Sequence, residues 1–229
     1  LSIPYFFAIH NGAIIVEMPS RKILAKKYLH PGIFQKLDDI CKDEPSDYAV
    51  YGGYEFDDVC YYRPERYSPE TLSYLERRVS GFREKWVEVK SYEELPISNF
   101  PSIKCFGKKE SAERMAEKIS SELQLHAPVI RDPFDDNYYV VQGTHSKVDK
   151  GEALLTLKSL ISGCDFTIAG GDDLNDVPML EKANIAIGMQ TAPQQVLSIA
   201  DIIAPPASDL GIIEGLQQAL EKTLKKEVS

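Results

Sequence analysis

The sequence is poor in the features that mark several large classes of protein. Its four cysteines, Cys41, Cys60, Cys105 and Cys164, form no C-x-x-C pair, and no His-rich segment accompanies them. That spacing argues against a zinc site. In a chain of 229 residues such scattered thiols are expected to be buried and reduced, which points to a reducing compartment. Positive charge is the scarcer sign, with 26 Lys and Arg against 35 Asp and Glu and a net charge of −9. Non-specific binding to nucleic acid is therefore disfavoured. No apolar run reaches the length of a membrane span. No basic segment leads into an apolar one at the start of the chain. The expectation is a cytoplasmic protein with neither a membrane nor a nucleic-acid partner. Internal repeats, low-complexity tracts and a glycine-rich nucleotide loop are also lacking.

What is present is concentrated in Ala169-Gly170-Gly171-Asp172-Asp173-Leu174-Asn175-Asp176. The apolar run Phe166–Ala169 before it reads as a short buried strand, and Val177–Ala183 after it reads as a helix. Two glycines and three aspartates thus sit where a strand ends and a helix begins, the edge at which open α/β sheets bind ligands. Carboxylates so close together repel unless a cation or a basic side chain compensates them. Hard oxygen donors at this place suit Mg²⁺, which takes one or two protein carboxylates and completes its shell with water and substrate phosphate. Helix capping and tight turns supply the bland alternative. Capping explains one of Asp172, Asp173 and Asn175, but hardly all of them together with Asp176.

The C-terminal third alternates helix and strand. A helix is expected over 150–161, with Ala153, Leu154, Leu157, Leu160 and Ile161 on one face. Strands follow at 166–169, 185–188 and 201–204, with helices at 176–183, 193–200 and 210–226. That rhythm implies a parallel sheet with helices on its faces. The N-terminus reads instead as a hairpin, 5–9 and 13–16, joined through His10-Asn11-Gly12, where Asn-Gly is a strong turn signal. Between them, helices are expected at 31–42, 68–79 and 110–124. Strands are expected near 48–51, 58–62, 86–90, 102–106, 128–131 and 138–142. The tyrosines gathered there, Tyr48, Tyr51, Tyr54, Tyr61, Tyr62 and Tyr67, read mainly as strand formers packing half-buried. The whole is an α/β fold: a core of residues 1–29 and 146–229, and an inserted α+β domain of 30–145.

Three groups carry chemistry in this reading. Asp172 and Asp176 flank a helix N-terminus, which stabilises anions. One can bind Mg²⁺ directly, and the other directly or through water. The Asn175 amide can bind phosphate oxygens or orient a neighbour. Lys150, ahead of the helix that leads to the acidic loop, can neutralise phosphate as a point charge. Lys147 competes with it, and a solvated lysine is the ordinary alternative. Asn11-Gly12 is a hairpin turn that also lets backbone N–H groups approach an anion. His10 and His145 can titrate near neutral pH, but nothing in the sequence sets either beside the acidic loop.

In this order the three groups resemble the haloacid dehalogenase (HAD) superfamily of phosphotransferases. The likeness is to the Cof-type branch, which has an α/β cap between its second and third motifs. Gly171 to Asp176, followed by Met179-Leu180, is similar to the fourth motif. Lys150-Gly151-Glu152-Ala153-Leu154 is similar to the third. Asn11-Gly12-Ala13 is similar to the segment after the second. Ala183–Met189 and Ala200–Ile203 are similar to the closing strands. The resemblance implies a Rossmann-like core with an inserted cap. It implies Asp172 as a Mg²⁺ ligand, Asp176 sharing or supporting the metal site, and Asn175 and Lys150 on the transferring phosphoryl group. Lys150 would also steady the nucleophile, and Asn11 and Gly12 would help line the phosphate pocket. The cap would close over substrate and exclude water.

The family's first motif, an Asp-x-Asp segment carrying the nucleophile, does not precede Asn11, and the second-motif Ser/Thr is lacking too. Covalent phosphoryl transfer needs that aspartate, so it is expected on a segment ahead of Leu1. The function expected is a Mg²⁺-dependent phosphatase of small phosphorylated metabolites, sugar phosphates foremost. The alternative is a non-catalytic Mg²⁺- and phospho-ligand-binding protein on a degenerate HAD fold. A nucleotide-binding or receiver-like module is disfavoured by the lack of a phosphate loop and by the large insertion.

Overall fold

The computed structural model describes residues 5–227, with side chains described to 224. Residues 1–4 of the expected core segment and 228–229 of the expected tail lie outside the described residues. Contacts gather the chain into two units, 1–148 and 149–229. Among the described residues no helix is long and apolar enough to cross a membrane.

The first unit opens with an antiparallel sheet of β1 (Tyr5–Ile9), β2 (Ile14–Met18) and β3 (Lys22–Lys26). Ile9 pairs with Ile14, and Ala13 to Val16 are buried. The connection is not a two-residue hairpin turn. His10, Asn11 and Gly12 form a 3₁₀ turn with φ of 52°, 56° and 99°. Left-handed backbone costs a non-glycine residue on the order of 1 kcal/mol, so something outside the turn must hold it.

A six-stranded sheet follows, ordered β6-β5-β4-β7-β9-β8, and all its pairs but β5–β6 are antiparallel. Its strands are β4 (Tyr48–Tyr51), β5 (Cys60–Tyr62), β6 (Trp86–Glu88), β7 (Ser102–Gly107), β8 (Val129–Arg131) and β9 (Tyr139–Gly143). Side chains alternate across it. Ile103, Cys105 and Val141 face Leu37 and Ile40 of α1 (Phe34–Cys41) and Met115 and Ile119 of α3 (Lys109–Leu123). On the other face Phe106 and Val140 meet Tyr74 and Leu75 of α2 (Pro69–Phe82). Each such side chain, once fully buried, contributes roughly 1.5–3 kcal/mol. Of the six tyrosines, Tyr48, Tyr51, Tyr61 and Tyr67 are buried outright, while Tyr54 and Tyr62 are half-buried. The guanidinium of Arg63 packs against both Tyr48 and Tyr92, 5.0 and 4.4 Å from the ring centroids. Asp47 binds that guanidinium through both oxygens at 2.7 and 2.8 Å.

The second unit is a parallel sheet, β10 (Ile168–Gly171), β11 (Ile185–Met189) and β12 (Ile202–Ala204), in that order. Around it lie α4 (Lys150–Leu160), α5 (Val177–Lys182), α6 (Gln194–Ile199) and α7 (Gly211–Glu227). β10 is two residues later than the sequence reading. Gly170 and Gly171 belong to the strand, and Phe166 is exposed. On α4 the buried residues are Gly151 and Ala153, whereas Leu160 and Ile161 are exposed, so the expected apolar face is only partly used. α7 likewise turns its small residues inward. Gly211, Gly215 and Ala219 are buried one turn apart, while Leu216, Leu220 and Leu224 are exposed.

Candidate active site

The second unit builds its site at the C-terminal end of β10. Strand pairing fixes Gly170 and Gly171 opposite Ile187 and Gly188. The chain then turns back so sharply that a Cβ on Gly171 would lie 2.5 Å from the Asp176 Cβ, so only glycine fits. The 3₁₀ turn Leu174–Asp176 is closed by a capping box. The Asp173 and Asp176 carboxylates each accept from the other's backbone N–H. Capping therefore accounts for two of the three aspartates, one more than the sequence reading allowed. Asp172 remains, with an exposed side chain at the strand end.

Asp176 is buried. One oxygen accepts from the backbone N–H of Asp172 at 3.0 Å and of Asp173 at 3.2 Å. The other is ion-paired with Lys150. The two elements meet because α4 and α5 touch backbone to backbone: a Cβ on Gly151 would sit 2.3 Å from the Pro178 carbonyl oxygen. Asp149 caps α4 by accepting the Glu152 N–H at 2.7 Å, which places Lys150 in the helix's first turn. Lys182 and Glu152 add a second α5–α4 ion pair at 2.7 Å. Burial, and beyond it the charges of Asp172 and Asp176, push the Asp173 carboxyl up, against the Leu174 N–H that it accepts. A cation at this loop would relieve that repulsion. Lys150, Asp172, Asn175 and Asp176 are thus gathered at one strand end. Lys147 lies in the other unit, where its carbonyl accepts from Lys27 at 3.0 Å.

Asn11 and Gly12 belong to the first unit, and Asn11 is buried. The left-handed turn that carries them is anchored by His10. Its Nε2 lies 2.8 Å from Asp58 Oδ1 and its Nδ1 lies 2.8 Å from Ser102 Oγ on β7. The ring also packs edge-on against Tyr51, centroids 5.7 Å apart. Ser, His and Asp in a row resemble a nucleophilic triad, but Ser102 is wholly buried and could not reach a substrate. The trio is an anchor. Sequence reasoning left His10 aside, because Ser102 and Asp58 are far from it in the chain and no local signal joins them. His145 serves its own loop, accepting the Lys147 N–H at 3.1 Å.

Two archaeal relatives share part of the sequence. One is a phosphoglycolate phosphatase 2 of Saccharolobus solfataricus, 36% identical over 81 residues, 35% of each chain. The other is a phosphoglycolate phosphatase of Sulfurisphaera tokodaii, 33% identical over 73 residues, 32% of each. The match thus spans about a third of the length of these relatives. Solved structures extend the likeness in fold. A haloacid dehalogenase-like hydrolase from Bacteroides thetaiotaomicron superposes with a TM-score of 0.72 at 18% identity, over 93% of this chain and 76% of its own. A HAD subclass IIB sugar phosphatase gives 0.68 at 16%, over 93% and 75%. The sequence profile of haloacid dehalogenase-like hydrolases matches residues 1–216. The chain belongs to that family, and its mixed α/β fold with a parallel sheet is the fold of those structures.

Proposed function

We propose that this chain carries the metal- and phosphate-binding machinery of a Mg²⁺-dependent phosphatase of small phosphorylated metabolites, with sugar phosphates the expected class. The observation that carries the reading is the ion pair of Lys150 with buried Asp176, set beside the exposed Asp172 at the end of β10. A cation and a metal-binding carboxylate on one rigid edge are what a transferring phosphoryl group requires. The names of the two archaeal relatives and of the sugar phosphatase support the same class of chemistry.

In this reading residues 1–29 and 146–229 form the catalytic core, and 30–145 form the cap that selects substrate. A nucleophilic aspartate attacks phosphorus, the ester P–O bond breaks, and the alcohol leaves with a proton. Water then attacks the aspartyl phosphate, freeing inorganic phosphate and the carboxylate. Lys150 neutralises the nucleophile and the phosphoryl oxygens. Asn175, Asn11 and Gly12 bind the phosphoryl group. Asp176 orients Lys150 and holds the Asp172 backbone through its own acceptor bonds. The donor set fits Mg²⁺: Asp172 offers hard, exposed oxygens, Asp176 stands behind it, and water and phosphate fill the remaining positions that this ion keeps open. The metal would supply charge neutralisation at the phosphoryl group. Three buried free thiols support a reducing, cytoplasmic setting.

The test is phosphate release by the full-length protein from a panel of sugar phosphates and phosphorylated hydroxy acids, with and without Mg²⁺. Asp172→Asn should cut turnover by about a thousandfold or more, the scale of losing a principal electrostatic group. Turnover that survives the change removes Asp172 from the mechanism. Mg²⁺-linked ligand binding without turnover in the wild type would favour the binding-protein alternative.

A further inference from the structure

Lys104 has no counterion among the described residues. Its neighbours on β7, Ile103 and Cys105, enter the apolar core with α1 and α3, so its own side chain rises from the opposite face of the sheet. There its Nζ stands 4.2 Å from the centre of the Tyr51 ring. The residue is half-buried, and its ammonium makes no ion pair or hydrogen bond among the described residues. The acids close enough to influence it are taken. Both oxygens of Glu84 accept from Arg78 Nη1 at 2.9 Å, and one also accepts from Trp86 Nε1 at 2.7 Å. Asp58 is bound to His10. Burial accordingly pushes the Lys104 amine below the ordinary lysine range, although Glu84 acts in the other direction. An ammonium drawn from water without an anion is a standing cost, which an incoming anion relieves.

Its location gives that anion a role. Ser102, two residues earlier on the same face of β7, takes the imidazole that anchors the Asn11 turn. The Tyr51 ring touches that imidazole on one side and the Lys104 ammonium on another. One aromatic ring therefore separates the unpaired cation from the residue preceding Asn11.

We propose that Lys104 determines specificity: its ammonium receives a second anionic group, a carboxylate, on the leaving portion of the phosphorylated substrate. This rests on the phosphatase reading above and narrows it, from neutral sugars toward phosphorylated hydroxy or sugar acids. Lysine binds such a group as a compact point charge. A second phosphate has the same chemistry, and the probes separate the two.

The experiment compares the full-length protein on 3-phosphoglycerate, on glycerol 3-phosphate, which replaces the carboxylate by a neutral carbinol, and on glycerol 1,3-bisphosphate. Wild type should favour 3-phosphoglycerate over glycerol 3-phosphate by at least about tenfold in kcat/KM. Lys104→Met keeps the apolar stem and should collapse that ratio, chiefly through KM, and Lys104→Arg should restore it. A larger preference for the bisphosphate, also lost in Lys104→Met, would assign the ammonium to a second phosphate and set aside the carboxylate. Equal ratios in wild type and Lys104→Met, or a wild-type preference for the neutral ester, would overturn the proposal. If no ester is hydrolysed, the phosphatase reading falls alone. Calorimetric binding of the same probes then reads the Lys104 preference directly. Should Lys104→Met not fold, Lys104→Gln replaces it.

Discussion

Asp176 shows why the site depends on single atoms. Its carboxylate accepts from both the Asp172 and the Asp173 N–H, and it also holds the Lys150 ammonium. Asp176→Ala strips all three at once and leaves donors unsatisfied in a buried turn. The Lys150 side chain is 34% exposed, so water screens part of the ion pair. The expected loss is then about 2 kcal/mol, below the range for breaking a fully buried pair. Denaturant midpoints of wild type and variant measure it, and an unchanged midpoint would mean that water replaces every bond. Gly171→Ala is a sharper probe. The added Cβ meets Asp176 at 2.5 Å, so the aspartate must move while the sheet's pairing is left intact. We expect phosphate release to fall by at least about tenfold, since small misplacements of catalytic groups are costly. The native circular dichroism should be retained. Full activity in this variant would show that the turn tolerates another path.

At the scale of elements, the link between α1 and α3 runs through Glu44, whose side chain is 6% exposed. Burial disfavours its charge, but hydrogen bonds from Arg114 and Ser111, at 2.6 to 3.0 Å, outweigh burial and hold its pKa below the ordinary glutamate value. A depressed carboxylate stabilises the fold fully above the unfolded pKa of about 4.3, and the stabilisation is lost as pH falls through the folded value. Glu44→Gln should therefore melt lower than wild type at neutral pH and converge with it in acid. Parallel melting curves from pH 7 to strong acid would contradict that. The elements themselves were largely legible. Period-two and period-3.6 patterns locate the strands and helices of both units to within a few residues, because each buries one face. The misplacements have local causes. β10 begins two residues later than its apolar pattern suggests, because glycine reads as a turn, yet here Gly170 lies under Ile212 of α7 and Gly171 under Asp176, where an added Cβ would come within 2.4 and 2.5 Å. The α7 pattern points its leucines to a core, whereas close packing selects the glycine and alanine stripe: a Cβ on Gly215 would meet Ile187 at 2.6 Å. Of the candidate site, the acidic loop and Lys150 were legible as motifs. The anchor His10–Ser102–Asp58 and the unpaired Lys104 were not, because both arise from strand pairing between distant segments.

For the whole molecule the governing quantity is an excess of acid, 35 Asp and Glu against 26 Lys and Arg. Such a chain repels itself, and any salt that screens it gives some stabilisation. A bound Mg²⁺ does more, because it acts by mass action on the folded state alone. At a hundred times its dissociation constant the gain is about 2.7 kcal/mol, which for a chain of this size is a rise of several degrees in melting temperature. The two effects are separable. Magnesium chloride should raise the melting temperature above that in sodium chloride of equal ionic strength, and the difference should vanish in Asp172→Asn while the general salt effect persists. Relief of repulsion among Asp172, Asp173 and Asp176 makes the metal-free acidic loop the place where the ion matters most, so Asp172→Asn alone, without Mg²⁺, should be neutral or stabilising. A Mg²⁺-specific rise that survives in Asp172→Asn would move the ion to other carboxylates, and the assignment of Asp172 as its ligand would fail.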